Sequence, residues 1–274
     1  VTMHREKIQQ LFGVTPTIFC FFLLIYNHAL PCEVPMVGYK GILAEGADHV
    51  LGWRSPNFLY KPQGTENIKI LLKNYRLSDD IAFRFSSKDW ADFPLTAQKF
   101  AKWANQVNGN GHIVNLFMDY ETFGEHQWED TGIFNFLRHL PEEIYKYPDN
   151  DFVTPSEAIE RYDAVSELDV HNFMSWADVE RDLSAWLSNP MQHDAIQSIY
   201  KLEQEVLATN DNKIIEDWRR LQTSDHFYYM CTKWFNDGDV HKYFNPYNTP
   251  YEAFIAYMNA LQDLKLRICN HSIH

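Results

Sequence analysis

Two carboxylates stand directly after short apolar runs, where a strand would deliver them to its C-terminal end. Gly41-Ile-Leu-Ala runs into Glu45, and His112-Ile-Val-Asn-Leu-Phe-Met runs into Asp119. Two acids held in different surroundings can divide acid and base work, one kept ionised and the other protonated near neutral pH. Cleavage of a glycosidic bond needs that division: one group protonates the leaving oxygen, and in the retaining version the other attacks the anomeric carbon. The alternative for Glu45 is a strand-end acid that caps a loop. For Asp119 it is a carboxylate tied to Arg and backbone N–H groups.

The neighbours of each acid extend the list. After Glu45, Gly46 lets the chain turn away. Trp53 could stack on a sugar ring, and Arg54 could hold a carboxylate ionised. After Asp119 come Glu121, His126 and Trp128. Asp119 and Glu121 are two apart and point one way on an extended chain. Such a pair suits a hard cation as well as catalysis, but no further matched ligand run follows. An apolar approach would raise the pKa of Asp119, as a general acid requires. A third stretch holds Ser175, Trp176, Asp178, Arg181 and Asp182, either a salt-bridged helix face or a subsite wall. A fourth, Thr223–Met230, contains Asp225 and His226, with helix capping as the alternative. No GxSxG, Walker A or HExxH motif occurs.

The elements that would position these groups follow from periodicity. Residues 3–12 read as a helix closed by Gly13. Residues 17–26 read as a buried strand, with a signal-type apolar segment as the competing reading. Strands are expected at 39–44, 67–73, 81–85 and 112–118, and a helix at 96–107. Later, Thr154-Pro-Ser-Glu157 reads as a capping box. Helical period covers 177–187, 191–208, 212–222 and 250–266. The first half alternates strand and helix, which implies a parallel sheet or barrel with its reactive groups past the strand C-termini. Residues 1–125 are therefore read as the barrel portion, and 126–274 as a mainly helical region contributing to the cleft.

Composition sets outer limits. The 274 residues are 45% hydrophobic and 22% charged, which excludes a disordered chain. A formal charge of −13 argues against a nucleic-acid partner. Aromatics reach 15%, available for core packing or for stacking on sugars. Cys20, Cys32, Cys231 and Cys269 are widely spaced with no CxxC, which fits a reduced, cytoplasmic protein without a metal centre. No membrane partner is expected, and the oligomeric state stays open.

At these segments the chain resembles glycoside hydrolase family 57, in its α-amylase-type branch. The stretches that carry the resemblance are GYKGILAEGADHVLGWRSPN (38–57), NLFMDYETFGEHQW (115–128), FMSWADVERDLSAWLSN (173–189), TSDHFYYM (223–230) and DGDVHKYFNPY (237–247). The resemblance implies an α/β fold, an incomplete (β/α)7 barrel followed by a helical region. It implies retaining hydrolysis of α-1,4-glucans such as starch, glycogen or maltodextrins, with no required metal or cofactor. Glu45 matches the family's nucleophile and Asp119 its general acid/base. Trp53, Arg54, Glu121, His126, Trp128, Trp176, Asp178, Asp225 and His226 are the expected substrate-binding residues. Two departures accompany it: the family's early conserved regions have no counterpart, so the N-terminal strands of the barrel are expected to be missing, and residues 20–36 differ from its pattern. Glucan transfer or branching on the same site, or a non-catalytic glucan-binding remnant, are the alternative functions.

Overall fold

The computed structural model describes residues 1–34, 38–177, 179–233 and 245–271, with the side chains of Cys32 and Glu33 set aside. The chain divides into two compact units, Val1–Trp176 and Ala177–His274.

The first unit is built on five strands: β1 (Ile18–Cys20), β2 (Gly41–Ala44), β3 (Tyr60–Pro62), β4 (Lys69–Leu72) and β5 (Ser166–Leu168). Their order is β1-β2-β4-β3-β5, and only the β3–β4 pair is antiparallel. The fold class is thus the expected α/β, with a parallel-dominated sheet. Both faces of its centre are covered, which is why β2 and β4 read as near-continuous apolar runs. Ile42, Ala44, Ile70 and Leu72 pack into one cluster with Tyr26, Tyr39 and Met174. Leu71 packs into another with Leu59, Ala158 and Ile159, and Leu43 leans on the same cluster.

Helices flank the strands. The first, α1 (Thr2–Phe12), ends as expected at Gly13 in the left-handed region. Two single-turn helices follow, α2 (Leu30–Glu33) and α3 (Asp48–Leu51). Next, α4 (Tyr75–Ala82) is capped by Asn74, whose side chain accepts from the Leu77 N–H. Thr96 caps α5 (Ala97–Asn105) in the same manner. The longest of this unit, α6 (Ile133–Tyr145), packs Phe136 against Phe85 and Phe100. The Thr154–Glu157 capping box opens α7 (Pro155–Arg161) as the sequence indicates.

Several expectations are corrected. Residues 81–85 are not a strand: Ile81 and Ala82 close α4, because the Asn74 cap and burial of Ser78, Ile81 and Ala82 at helical spacing override the alternation of IAFRF. Residues 112–118 do not form a strand either. They run as irregular chain, with one parallel bridge from Asn115 to Lys73. Residues 17–26 make only the three-residue β1, because Leu23 and Leu24 enter positive φ (52° and 54°), a conformation unfavourable for Leu. Helix α6 went unseen because Pro141 lies inside it and reads as a breaker.

The second unit is helical: α8 (Ser184–Leu187), α9 (Pro190–Tyr200), α10 (Glu203–Ala208), α11 (Asn212–Arg220), α12 (Ser224–Tyr228) and α13 (Pro250–His271). The expected helix over 177–187 shrinks to α8. Its polar organiser is Gln192, fully buried, whose amide donates to the Ala185 and Phe227 carbonyls while Asn189 donates to Met230. Satisfied amides of this kind fix helix register in an otherwise apolar interior. No helix among the described residues is long and apolar enough to cross a membrane.

Candidate active site

Register alone brings the first two charged groups together. Ala44 on β2 pairs with Leu72 on β4, and the strands run parallel. The next residue of each, Glu45 and Lys73, therefore emerges at the same strand end. Side-chain alternation turns both to the face of Leu43 and Leu71. The backbone extends the pairing by one step, with the Lys73 N–H donating to the Ala44 carbonyl at 2.9 Å.

Glu45 is fully buried. Its Oε1 accepts from the Gly46 N–H at 2.8 Å, and its Oε2 lies 3.8 Å from Lys73 Nζ. Lys73 is buried as well, and its ammonium is shared. Asp79 Oδ1 on α4 stands 3.5 Å away, and the ring of Trp176 faces it with the centroid at 4.4 Å. Two carboxylates and a π face are the partners a buried ammonium needs. Gly46 has to be glycine: a Cβ there would sit 2.2 Å from the Lys73 carbonyl oxygen. The turn after Glu45 thus presses directly against the segment that carries the cation.

Asp119 arrives by a different route. Asn115 bridges Lys73, its amide donates to the Leu72 carbonyl, and the Phe117 N–H donates to Ser78 Oγ on α4. These bonds tie the irregular stretch to the β4 end and carry Asp119 beyond it. A tightly bonded loop follows. The Asp119 backbone carbonyl accepts from the Thr122 N–H, and the Glu121 backbone carbonyl accepts from the N–H groups of Glu125 and His126. Surrounding protein raises the Asp119 pKa above the ordinary carboxylate range, and the Glu121 charge adds to this; His126 and Lys73 pull the other way. Asp119 keeps contact with solvent, which limits the shift. A cavity of about 470 Å³ has Ala44, Lys73, Asn115 and Phe117 in its wall, while Glu45, Asp119 and Trp176 do not line it.

The remaining expected residues are spread more widely. Trp176 is at the site, edge-to-face with Phe117 and over Lys73. Glu121 and His126 flank Asp119 in its loop and are exposed, as is Trp128. Trp53 projects into solvent, 95% exposed. Arg54 is placed elsewhere: its guanidinium donates to the carbonyls of Leu51, Val50 and Glu167. The cation that meets Glu45 is Lys73. Asp225 and His226 lie on α12 in the second unit, where His226 packs beside Tyr257. Asp178 lies outside the described residues.

Sequence reasoning missed Lys73 and Asp79. The signal was available, since Lys73 ends an apolar strand run just as Glu45 does. It was hidden because a lysine at a strand end ordinarily reads as solvated.

Known proteins share the family and the fold. The "Putative alpha-amylase" of Methanocaldococcus jannaschii is 43% identical over 279 residues, matching 98% of this chain. The chain spans 59% of that relative's length. Among solved structures, a GH57 branching enzyme from Thermococcus kodakaraensis superposes with a TM-score of 0.69 at 13% identity, over 98% of this chain and 62% of that one. The α-amylase AmyC from Thermotoga maritima gives 0.60 at 13% identity, over 98% and 65% of the two chains. The 4-alpha-glucanotransferase from Thermococcus litoralis gives 0.52 at 17% identity, over 74% and 30%. At such identities the likeness is one of fold. Residues 1–171, which include Glu45 and Asp119, match the family described as Glycosyl hydrolase family 57, and the chain belongs to that family.

Proposed function

We propose that the protein is a retaining α-glucan hydrolase in which Glu45 is the nucleophile and Asp119 the general acid/base. The observation that carries the reading is the unequal setting of the two acids around one cation. Glu45 is fully buried with its carboxylate beside the Lys73 ammonium. Asp119 is pushed toward its protonated form at the solvent edge of the same strand end. In the first step a Glu45 carboxylate oxygen bonds to the anomeric carbon as the glycosidic C–O bond breaks, and the departing oxygen takes the Asp119 proton. In the second, Asp119 removes a proton from water, whose oxygen bonds to the anomeric carbon and expels Glu45.

Trp176, beside Lys73, supplies an aromatic wall, and Trp53 and Trp128 are exposed platforms of the kind sugars stack on. Starch, glycogen or maltodextrins are the substrates this reading names, with a cytoplasmic place of action. Cys20 and Cys269 carry free thiols, in keeping with a reducing compartment. Incubation with maltoheptaose tests the activity. Hydrolysis yields shorter linear products that first appear as the α-anomer. Longer or branched products would move the assignment to glucan transfer, which the same covalent intermediate allows.

Asp119 also makes a stability prediction. Its folded pKa is raised, so ionising it opposes folding once the pH exceeds the unfolded carboxylate value of about 4. Asp119→Asn removes that cost. The variant will have a higher Tm than the wild type at pH 7, and the difference will vanish below about pH 3, where both side chains are neutral. Its turnover will fall by about 10²- to 10⁴-fold. Thermal unfolding across this pH range checks the sign. A variant no more stable than wild type at pH 7 would contradict the raised pKa.

A further inference from the structure

Residues 26–28 and 170–174 lie antiparallel. Tyr26 and Met174 exchange two backbone hydrogen bonds of 2.9 Å, and the His28 N–H donates to the Val170 carbonyl at 2.9 Å. Asp169 directly follows β5, whose Leu168 carbonyl accepts from the Gln63 N–H. Three metal-ligating side chains therefore rise from backbone positions that hydrogen bonds fix: His28, Asp169 and His171. Each offers a ligand atom, and the three atoms lie within 4.8 Å of one another. His171 Nε2 is 2.8 Å from Asp169 Oδ2, His28 Nδ1 is 3.7 Å from Asp169 Oδ1, and the two rings meet edge to face with centroids 5.1 Å apart. Among the described residues no other such group of three is present.

From this geometry we infer that His28, Asp169 and His171 form a binding site for a divalent transition-metal ion of the zinc type. Two imidazoles and one carboxylate are a donor set that zinc, cobalt or nickel prefers, whereas magnesium and calcium seek oxygen. Bonds of about 2.0–2.1 Å in a tetrahedral site put donors roughly 3.4 Å apart, so the cluster closes with shifts of about 1–1.5 Å. The exposed His171 side chain can supply them by a small rotation. Supporting groups are in place. Turned so that its nitrogen faces the carboxylate, the Gln63 amide donates to both Asp169 oxygens, at 3.2 and 2.9 Å. His28 Nδ1 also lies 2.9 Å from the Val170 carbonyl oxygen, a contact that fixes the orientation of the ring. Outer partners of this kind orient ligands and tune their basicity. Three protein ligands leave a fourth position for water. The site joins the loop that follows β5 to the segment that follows β1, so an ion there would tie together two stretches far apart in sequence. It uses neither Glu45 nor Asp119 and is independent of the hydrolase reading.

The test is zinc titration of the full chain, stripped with chelator and desalted, by calorimetry and thermal unfolding. Saturable binding of one zinc per chain is expected, with a Tm that rises with zinc concentration. Magnesium at the same concentration should do neither. Asp169→Asn and His171→Ala, both at accessible positions, should each weaken zinc binding at least about tenfold, and Gln63→Ala should weaken it less. His193→Ala, an exposed histidine on α9, should leave it unchanged. Cobalt in place of zinc should give the intense visible absorption of a tetrahedral site, which both ligand variants lose. Absence of one-to-one binding overturns the assignment. So does zinc binding that persists undiminished in Asp169→Asn and His171→Ala, leaving the three residues as a surface ion pair with a neighbouring ring.

Discussion

Glu45→Gln will reduce α-glucan turnover by on the order of 10⁴-fold while the protein stays folded. The amide is close to isosteric and still accepts the Gly46 N–H, so the buried turn survives. What disappears is the anion that attacks the anomeric carbon. Lys73 keeps Asp79 as a counter-charge, which limits the stability loss. The covalent step gives a sharper readout than rate alone. In Glu45→Gly, with an activated α-glucosyl fluoride as donor, azide can occupy the vacated space and attack directly. The product would be the β-azide, of inverted configuration, because one displacement replaces two. Turnover of Glu45→Gln within about tenfold of wild type would remove Glu45 from the mechanism. An α-configured azide would remove the double displacement.

Lys73→Met carries the second large effect, and it acts on stability and rate together. The substitution takes the shared ammonium away from Glu45, which is fully buried, and from Asp79, which is mostly so. Breaking a buried ion pair from one side costs about 3–5 kcal/mol, far more than the net worth of the pair itself. In a chain of this size that lowers Tm by roughly 10 °C. Turnover should fall about 100-fold or more, since the nucleophile loses the charge that favours its ionised form. Two variants separate these effects. Lys73→Met combined with Asp79→Asn removes one stranded carboxylate, so it should recover part of the Tm and little of the rate. Lys73→Arg keeps the charge but not the compact geometry over Trp176, and should fall between wild type and Lys73→Met in rate. If Lys73→Met matches wild type in both Tm and turnover, the cation has no part in either.

These expectations depend on details that differ in how legible they were. Glu45 and Asp119 stood out because each terminates an apolar run. The helix at Thr154 was readable from its cap, as was the Gly13 stop, because capping is a local hydrogen-bonding problem solved within four residues, while the helix after Thr96 was readable from its apolar spacing. By contrast, 81–85 read as a strand, and only burial of Ile81 and Ala82 under the Asn74 cap resolves those two residues as the end of a helix. The apolar stretch before Asp119 read as a strand because periodicity cannot distinguish a paired strand from an extended segment held by side chains. Asn115 and Ser78 do that holding, and they lie 37 residues apart.

What the sequence determined by itself is the inventory: an α/β chain, two acids that each close an apolar run, an aromatic supply, and the family to which 1–171 belong. Those follow from local pattern and residue type. Tertiary structure decided the partnerships. The parallel β2–β4 register put Lys73 beside Glu45, while packing elsewhere turned Arg54 to backbone carbonyls and left Trp53 in solvent. It also drew His28 to Asp169 and His171 across more than 140 positions. Local preferences fix a residue's conformation, whereas charge pairing and ligand geometry depend on distances between segments that only packing sets.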